Sequence, residues 1–136
     1  MELKLHYTFL EVDDHDAALA FYRDTLGLEV RQDVAMENAR WLTVGPKEQP
    51  ELGIVLQSVG VARSPEDAES LRSLLAKGSL SGLVFGTEDV DGLFEKVAAS
   101  GAEVLQEPMD QPYGVRDCAF RDPAGNMIRF NQNAKG

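Results

Sequence analysis

One cysteine, two histidines and one tryptophan occur in 136 residues. A lone Cys118 excludes an internal disulfide and predicts a reducing compartment. His6 and His15, close in sequence but on different elements, lack the spacing of a histidine ligand pair. Basic residues are scarce: 13 Lys and Arg stand against 23 Asp and Glu, a net charge of −10 at pH 7. That balance repels phosphate backbones and anionic lipid, which argues against nucleic-acid and membrane partners. No apolar run approaches the length of a membrane span. The opening Met1-Glu2-Leu3-Lys4-Leu5-His6 has no signal-peptide core, so the expected location is cytoplasmic. Phosphate loop, nucleophile elbow and zinc motif are all missing. What is present suits a soluble globular chain: 43% hydrophobic and 26% charged residues, enough to build a core without covalent staples.

Leu3 to Val12 alternates, with Leu5, Tyr7, Phe9 and Glu11 on one side and His6, Thr8, Leu10 and Val12 on the other, which predicts a strand. Asp13-Asp14 then offers capping side chains. Residues 15 to 26 switch to helical spacing and stop at Gly27. Leu28 to Val34, Arg40 to Val44 and Leu52 to Gln57 read as three further strands. The same order returns from Leu80: a strand to Phe85, a helix over Val90 to Ser100 ended by Gly101, then strands Ala102 to Gln106, Val115 to Phe120 and Met127 to Asn131. A shift of 74 residues, the separation of Gly27 and Gly101, also carries Leu19 onto Leu93, Glu29 onto Glu103 and Val30 onto Val104. The matched order of elements predicts an internal duplication. Ser64-Pro65-Glu66-Asp67 opens a connecting helix over residues 64 to 78. The expected organisation is one domain over residues 1 to 136: a βαβββ module over residues 3 to 60, the connecting helix, and a second βαβββ module over residues 80 to 132.

The unit Val12-Asp13-Asp14 followed by Phe21-Tyr22-Arg23-Asp24-Thr25-Leu26-Gly27-Leu28, with the closing Phe120-Arg121-Asp122-Pro123-Ala124-Gly125-Asn126-Met127-Ile128, resembles the vicinal oxygen chelate superfamily. Arg40-Trp41-Leu42-Thr43-Val44-Gly45-Pro46 is similar to its glyoxalase-like and dioxygenase-like bacterial members. The resemblance implies an α+β fold in which two βαβββ modules form a cupped mixed sheet with helices on the outer face. It also implies a homodimer and a small-molecule partner. Members include glyoxalase I, extradiol dioxygenases, epimerases, fosfomycin resistance enzymes and bleomycin-binding proteins, so fold alone does not choose among chemistries.

In the superfamily's enzymes, His and Glu side chains on inward strand faces hold a divalent metal that chelates two substrate oxygens. Carried onto this sequence, the four ligand positions fall on Tyr7, on Ile54 or Val55, on Gly82 and on Arg129. None is a standard ligand, and an arginine repels a cation. The expected cofactor is therefore none, with a divalent metal as the alternative.

Candidate ligand-binding residues are Tyr7, Phe9, Glu11, Trp41, Ile54, Gly82, Tyr113 and Arg129. Two aromatics and a carboxylate on one strand face suit a flat or cationic ligand. Trp41 reads equally as core or as pocket wall. Arg129 either grips a ligand anion or pairs with an acid, and Glu11 is the expected partner. Gly53 and Gly82 mark bulges or leave room for a ligand. Gly125 and Asn126 fit positive φ in the final turn, and Cys118 reads as a packed thiol. These residues predict a metal-independent protein binding a flat, partly apolar ligand with at most one charge. The alternatives are a metal-dependent lyase or dioxygenase, and a metal-free enzyme with Glu11 as general base beside Tyr7 and Arg129.

Overall fold

The computed structural model describes residues 1–133. The chain divides into two compact units, Met1–Ser73 and the part from Leu74 onward. The first contains β1 (Tyr7–Val12), α1 (His15–Leu19), β2 (Glu29–Met36), β3 (Ala39–Gly45) and β4 (Gly53–Ser58). The second contains β5 (Leu83–Gly86), α3 (Val90–Ala99), β6 (Glu103–Asp110), β7 (Val115–Arg121) and β8 (Met127–Asn133). Between these sets runs α2 (Pro65–Ala76), opened by Ser64, whose hydroxyl accepts from the Asp67 amide at 3.1 Å. The fold is α+β, and both units are βαβββ.

Each unit builds one four-stranded mixed sheet, in the orders β1-β4-β3-β2 and β5-β8-β7-β6. The first and last strand of each unit are parallel neighbours, and the remaining pairs are antiparallel. The alternation expected from Leu3 to Val12 becomes a strand from Tyr7 onward. Leu10 and Val12 are buried under the helix, with Leu42, Val44, Ile54 and Leu56 of the neighbouring strands. In the second unit the helix-covered layer is aromatic: Phe94 lies 5.2 Å from Phe120, and Phe85 stacks on Phe130 at 5.7 Å between centroids.

α1 and α3 are started by aspartates. Asp14 Oδ1 accepts from the amides of Asp16 and Ala17, and Asp89 Oδ1 from that of Gly92. An arginine on β3 or β7 then pins each helix to its sheet. Arg40 holds Asp33 of β2 through Nε and Nη2 and Asp16 of α1 through Nη1. Arg116 does so with the roles exchanged, Nε and Nη2 holding Asp91 of α3 and Nη1 holding Asp110 of β6. The Arg40 guanidinium keeps the Asp33 carboxyl below the usual carboxylate range, and Arg116 does the same to Asp91. His15 Nε2 lies 2.9 Å from the Leu56 carbonyl, a further tie from helix to β4.

One correction concerns the repeat. From Asp14 to Gly27 the first unit is one residue longer than the second is from Asp89 to Gly101. The extra residue is taken up by a π-helical turn, Ala20–Thr25, that continues α1. Leu19 lies before that turn and so corresponds to Phe94, not Leu93. The matches at Gly27, Glu29 and Val30 follow it and hold: both units carry a strand irregularity at the same place, after Val30 and after Val104.

The turn Asp122-Pro123-Ala124-Gly125-Asn126 is organised by a buried carboxylate. Asp122 Oδ1 accepts from the amides of Ala124, Gly125 and Asn126, and Oδ2 from Asn126 Nδ2. Gly125 has φ +120°, which explains glycine there. Asn126 does not have positive φ, and serves the turn through its side chain instead. Asp122→Ala, which strands these donors in a buried site, is expected to destabilise the protein by about 3 kcal/mol or more in urea unfolding. A loss below about 1 kcal/mol would show that the turn does not depend on this carboxylate.

Candidate functional site

The helix covers only one face of each sheet. On the other face of the first unit stand Tyr7, Phe9 and Glu11 of β1, Val55 and Gln57 of β4, Trp41 and Thr43 of β3, and Gln32, Val34 and Met36 of β2. Tyr7 is 47% exposed and Phe9 57%, and Val34 and Met36 are exposed too. Several large apolar side chains on one strand surface exceed the scattered exposure normal for a folded chain. The Tyr7 and Trp41 rings meet edge to face at 5.8 Å. Trp41 Nε1 donates to Gln32 Oε1 at 2.7 Å, which fixes the indole plane. Gly53 lies opposite Tyr7, and a β-carbon there would touch the phenol ring at 3.0 Å. The glycine therefore makes room for the aromatic ring.

Glu11 sits at the end of this face, and Arg63 Nη1 lies 2.6 Å from its Oε1. The expected Glu11–Arg129 pair is not formed. Arg129 Nη1 donates instead to Asp117 Oδ2 and Gln106 Oε1, both at 3.0 Å. Asp117 was not foreseen as a partner because its position on β7 shows only in the strand register, where Asp117 and Arg129 fall on the same face.

That face of the second unit also carries Val84, Ala119, Gln106, Met109 and Asn131. Asp117 is almost fully buried and accepts further bonds from Gln106 Nε2 at 2.7 Å and Gln111 Nε2 at 2.9 Å. Burial pushes its carboxyl up, but the Gln111 and Gln106 bonds and the Arg129 charge outweigh this and hold it below the usual range. Cys118, next in the chain, points to the helix side. Burial and the Asp117 charge push its thiol up to about 11, as fits an inert packed thiol.

Three of the expected residues lie elsewhere. Ile54 is on the helix-covered face and 1% exposed; its neighbour Val55 lies on the opposite face and is itself buried, at 3%. Gly82 precedes β5 and leaves no room for a ligand, because the Met127 backbone occupies the space where a side chain would go. Tyr113 stands at the β6–β7 hairpin tip, 71% exposed, while Gln111 of the same loop reaches Asp117. Sequence reasoning missed Gln32, Gln106 and Asp117. The signal for the glutamines was available: the shift that carries Gly27 onto Gly101 also carries Gln32 onto Gln106.

Residues 4–130 match the model of the Glyoxalase/Bleomycin resistance protein/Dioxygenase superfamily. The chain belongs to this superfamily. It is similar to UcmS2, at 38% identity, with 96% of this chain and 98% of that one covered and a TM-score of 0.88. It is also similar to TnmS3, an antibiotic binding protein from Streptomyces sp. CB03234, at 29% identity, 98% of each chain and a TM-score of 0.76. Lactoylglutathione lyase of Haemophilus influenzae is 27% identical over 96% of this chain and 93% of its own length.

The metal positions of glyoxalase-superfamily enzymes are testable on these faces. Val55 and Arg129 occupy matching places, opposite Phe9 of β1 and Val84 of β5. Together with Tyr7 and Gly82 they offer a phenol, an aliphatic side chain, a guanidinium and a bare backbone, which do not fit a divalent cation. Among the described residues no three His, Cys, Asp or Glu side chains group to hold a metal.

The Asp117–Arg129 pair has a measurable consequence. Arg129→Ala is expected to lower the unfolding free energy at pH 7 by about 1.5–3 kcal/mol, the worth of a hydrogen bond to a buried charge. Asp117's lowered folded value means that its contribution is complete above about pH 4 and lost as pH falls through that value. Without Arg129 that value rises, so the acid unfolding midpoint should move to higher pH. An unchanged midpoint would show that the pair does not set the Asp117 charge.

Proposed function

We propose that this chain is a metal-independent small-molecule-binding protein whose ligand is flat and partly apolar. The observation that carries the reading is the surface made by exposed Tyr7 and Phe9 with half-buried Trp41, its indole held by Gln32. A rigid aromatic platform gains stacking and apolar burial with little loss of side-chain freedom. Thr43, at the floor of the same face, is buried with a hydroxyl that has no hydrogen-bond partner among the described residues. The antibiotic-binding relative and the misfit of the metal positions favour binding over turnover. Glu11, engaged by Arg63, is poorly placed to work as a general base.

Trp41 is the sole tryptophan, so its fluorescence reports directly on the platform. Titration with a planar tricyclic such as fluorene is expected to quench it saturably, and to do so equally after metal chelation. Trp41→Phe should weaken fluorene binding about 5–10-fold by calorimetry, as expected for loss of one stacking contact. No saturable quenching up to the solubility limit would overturn this reading.

We further propose that the protein is a cytoplasmic homodimer. β1 and β2 are the edge strands of their sheet, and apolar Val34 and Met36 are exposed on β2. Light scattering at micromolar concentration is expected to return twice the 14.9 kDa chain mass; a value of 14.9 kDa would refute the dimer.

A further inference from the structure

Gln32 and Gln106 hold matching positions on β2 and β6, each beside its strand irregularity, yet their amides are used differently. Gln106 has both ends engaged: Nε2 donates to Asp117 and Oε1 accepts from Arg129. Gln32 has one end engaged, its Oε1 accepting from Trp41 Nε1 at 2.7 Å. An indole N–H can only donate, so the amide oxygen must face it and the NH2 group is turned away from the ring nitrogen. Gln32 is exposed, and among the described residues its Nε2 meets no acceptor. Thr43, opposite Gln32 in the register, does not take this donor, since the Thr43 hydroxyl has no partner either. A surplus donor, oriented by the indole, therefore stands beside the Tyr7–Trp41 aromatic pair, and all three residues belong to the first unit.

We propose that Gln32 Nε2 is a ligand-binding donor, which selects planar molecules that carry a hydrogen-bond acceptor such as a ring carbonyl at their edge. The proposal rests on the reading of the first unit's outward face as a platform for a flat ligand. The selection is of acceptor against donor. An amide NH2 offers two N–H groups and accepts nothing, so a ligand oxygen gains a bond there and a ligand N–H gains none. The Trp41 N–H is no substitute, because it is already spent on Gln32. The Tyr7 hydroxyl both donates and accepts, so it does not discriminate. The amide is held in place before the ligand arrives, which keeps the ordering cost of the new bond low.

Fluorene, fluorenone and carbazole share one flat outline and differ at the bridge: a methylene, a carbonyl and an N–H. Each is titrated calorimetrically into the intact protein. Fluorenone is expected to bind about fivefold tighter than fluorene, the effect of one hydrogen bond between neutral groups, and carbazole no tighter than fluorene. Gln32→Glu keeps an oxygen for the indole and replaces the NH2 by a second oxygen. It is expected to cancel the fluorenone advantage and to favour carbazole over fluorene about tenfold, as for a hydrogen bond to a charged acceptor. Gln32→Met removes both ends, and should cancel the fluorenone advantage without favouring carbazole. The position is exposed, so neither change touches the packed layer.

Equal affinity for fluorene and fluorenone in the wild type would overturn the proposal. So would a fluorenone advantage that survives Gln32→Glu, since the glutamine would then only steady the indole. Should the Glu variant not fold, an advantage that survives Gln32→Met overturns it equally. Fluorene binding without a ketone preference overturns this proposal alone. If none of the three binds up to its solubility limit, the planar-ligand reading falls with it.

Discussion

A four-stranded sheet has two faces, and a single helix covers only one of them. The rest of this structure follows from that constraint. In each βαβββ unit the covered face takes the large apolar side chains that must leave water, from Leu10 to Leu56 in the first and from Phe85 to Phe130 in the second. The arginine pins Arg40 and Arg116 hold the helix over that face. Being mostly solvent-exposed, such pairs add orientation more than stability. The opposite face is then free to diversify, because a substitution there does not open a cavity in the packed layer.

The fold was legible because its signals are local. Period-two alternation placed Tyr7, Phe9 and Glu11 opposite Leu10 and Val12. Asp14, Gly27, Ser64 and Gly101 punctuated the helices where their capping chemistry requires. Strand ends were less legible. Residues 80 to 82 look as strand-like as those that follow, but the strand begins only at Leu83, past the close approach of Gly82 to the Met127 backbone. The π-helical turn was invisible from periodicity, since one inserted residue changes spacing less than ordinary variation does.

The site was legible only in part, for a different reason. A residue's face can be read from parity along its own strand, but its partner depends on register between strands. Ile54 and Val55 differ by one position, and only pairing with β1 shows which of them faces outward. Arg129 was rightly read as an arginine in need of an acid, yet Glu11 was the wrong acid. Ion pairs form with whatever charge the register brings within reach, and Asp117 lies one strand away while Glu11 belongs to the other unit.

Comparing the two outward faces position by position shows how the two βαβββ units differ. Gln32 and Gln106 keep the same place beside the same strand irregularity, each bonded to a residue on the neighbouring strand. In the first unit that residue is Trp41 and the glutamine steadies an indole. In the second it is Asp117, and the glutamine steadies the carboxylate through Nε2 and accepts directly from Arg129 through Oε1. Val55 in one unit occupies the place of Arg129 in the other. One scaffold thus carries an apolar aromatic surface and a compensated polar one. The charges on each surface are met within its own unit, Glu11 by Arg63 in the first and Asp117 by Arg129 in the second.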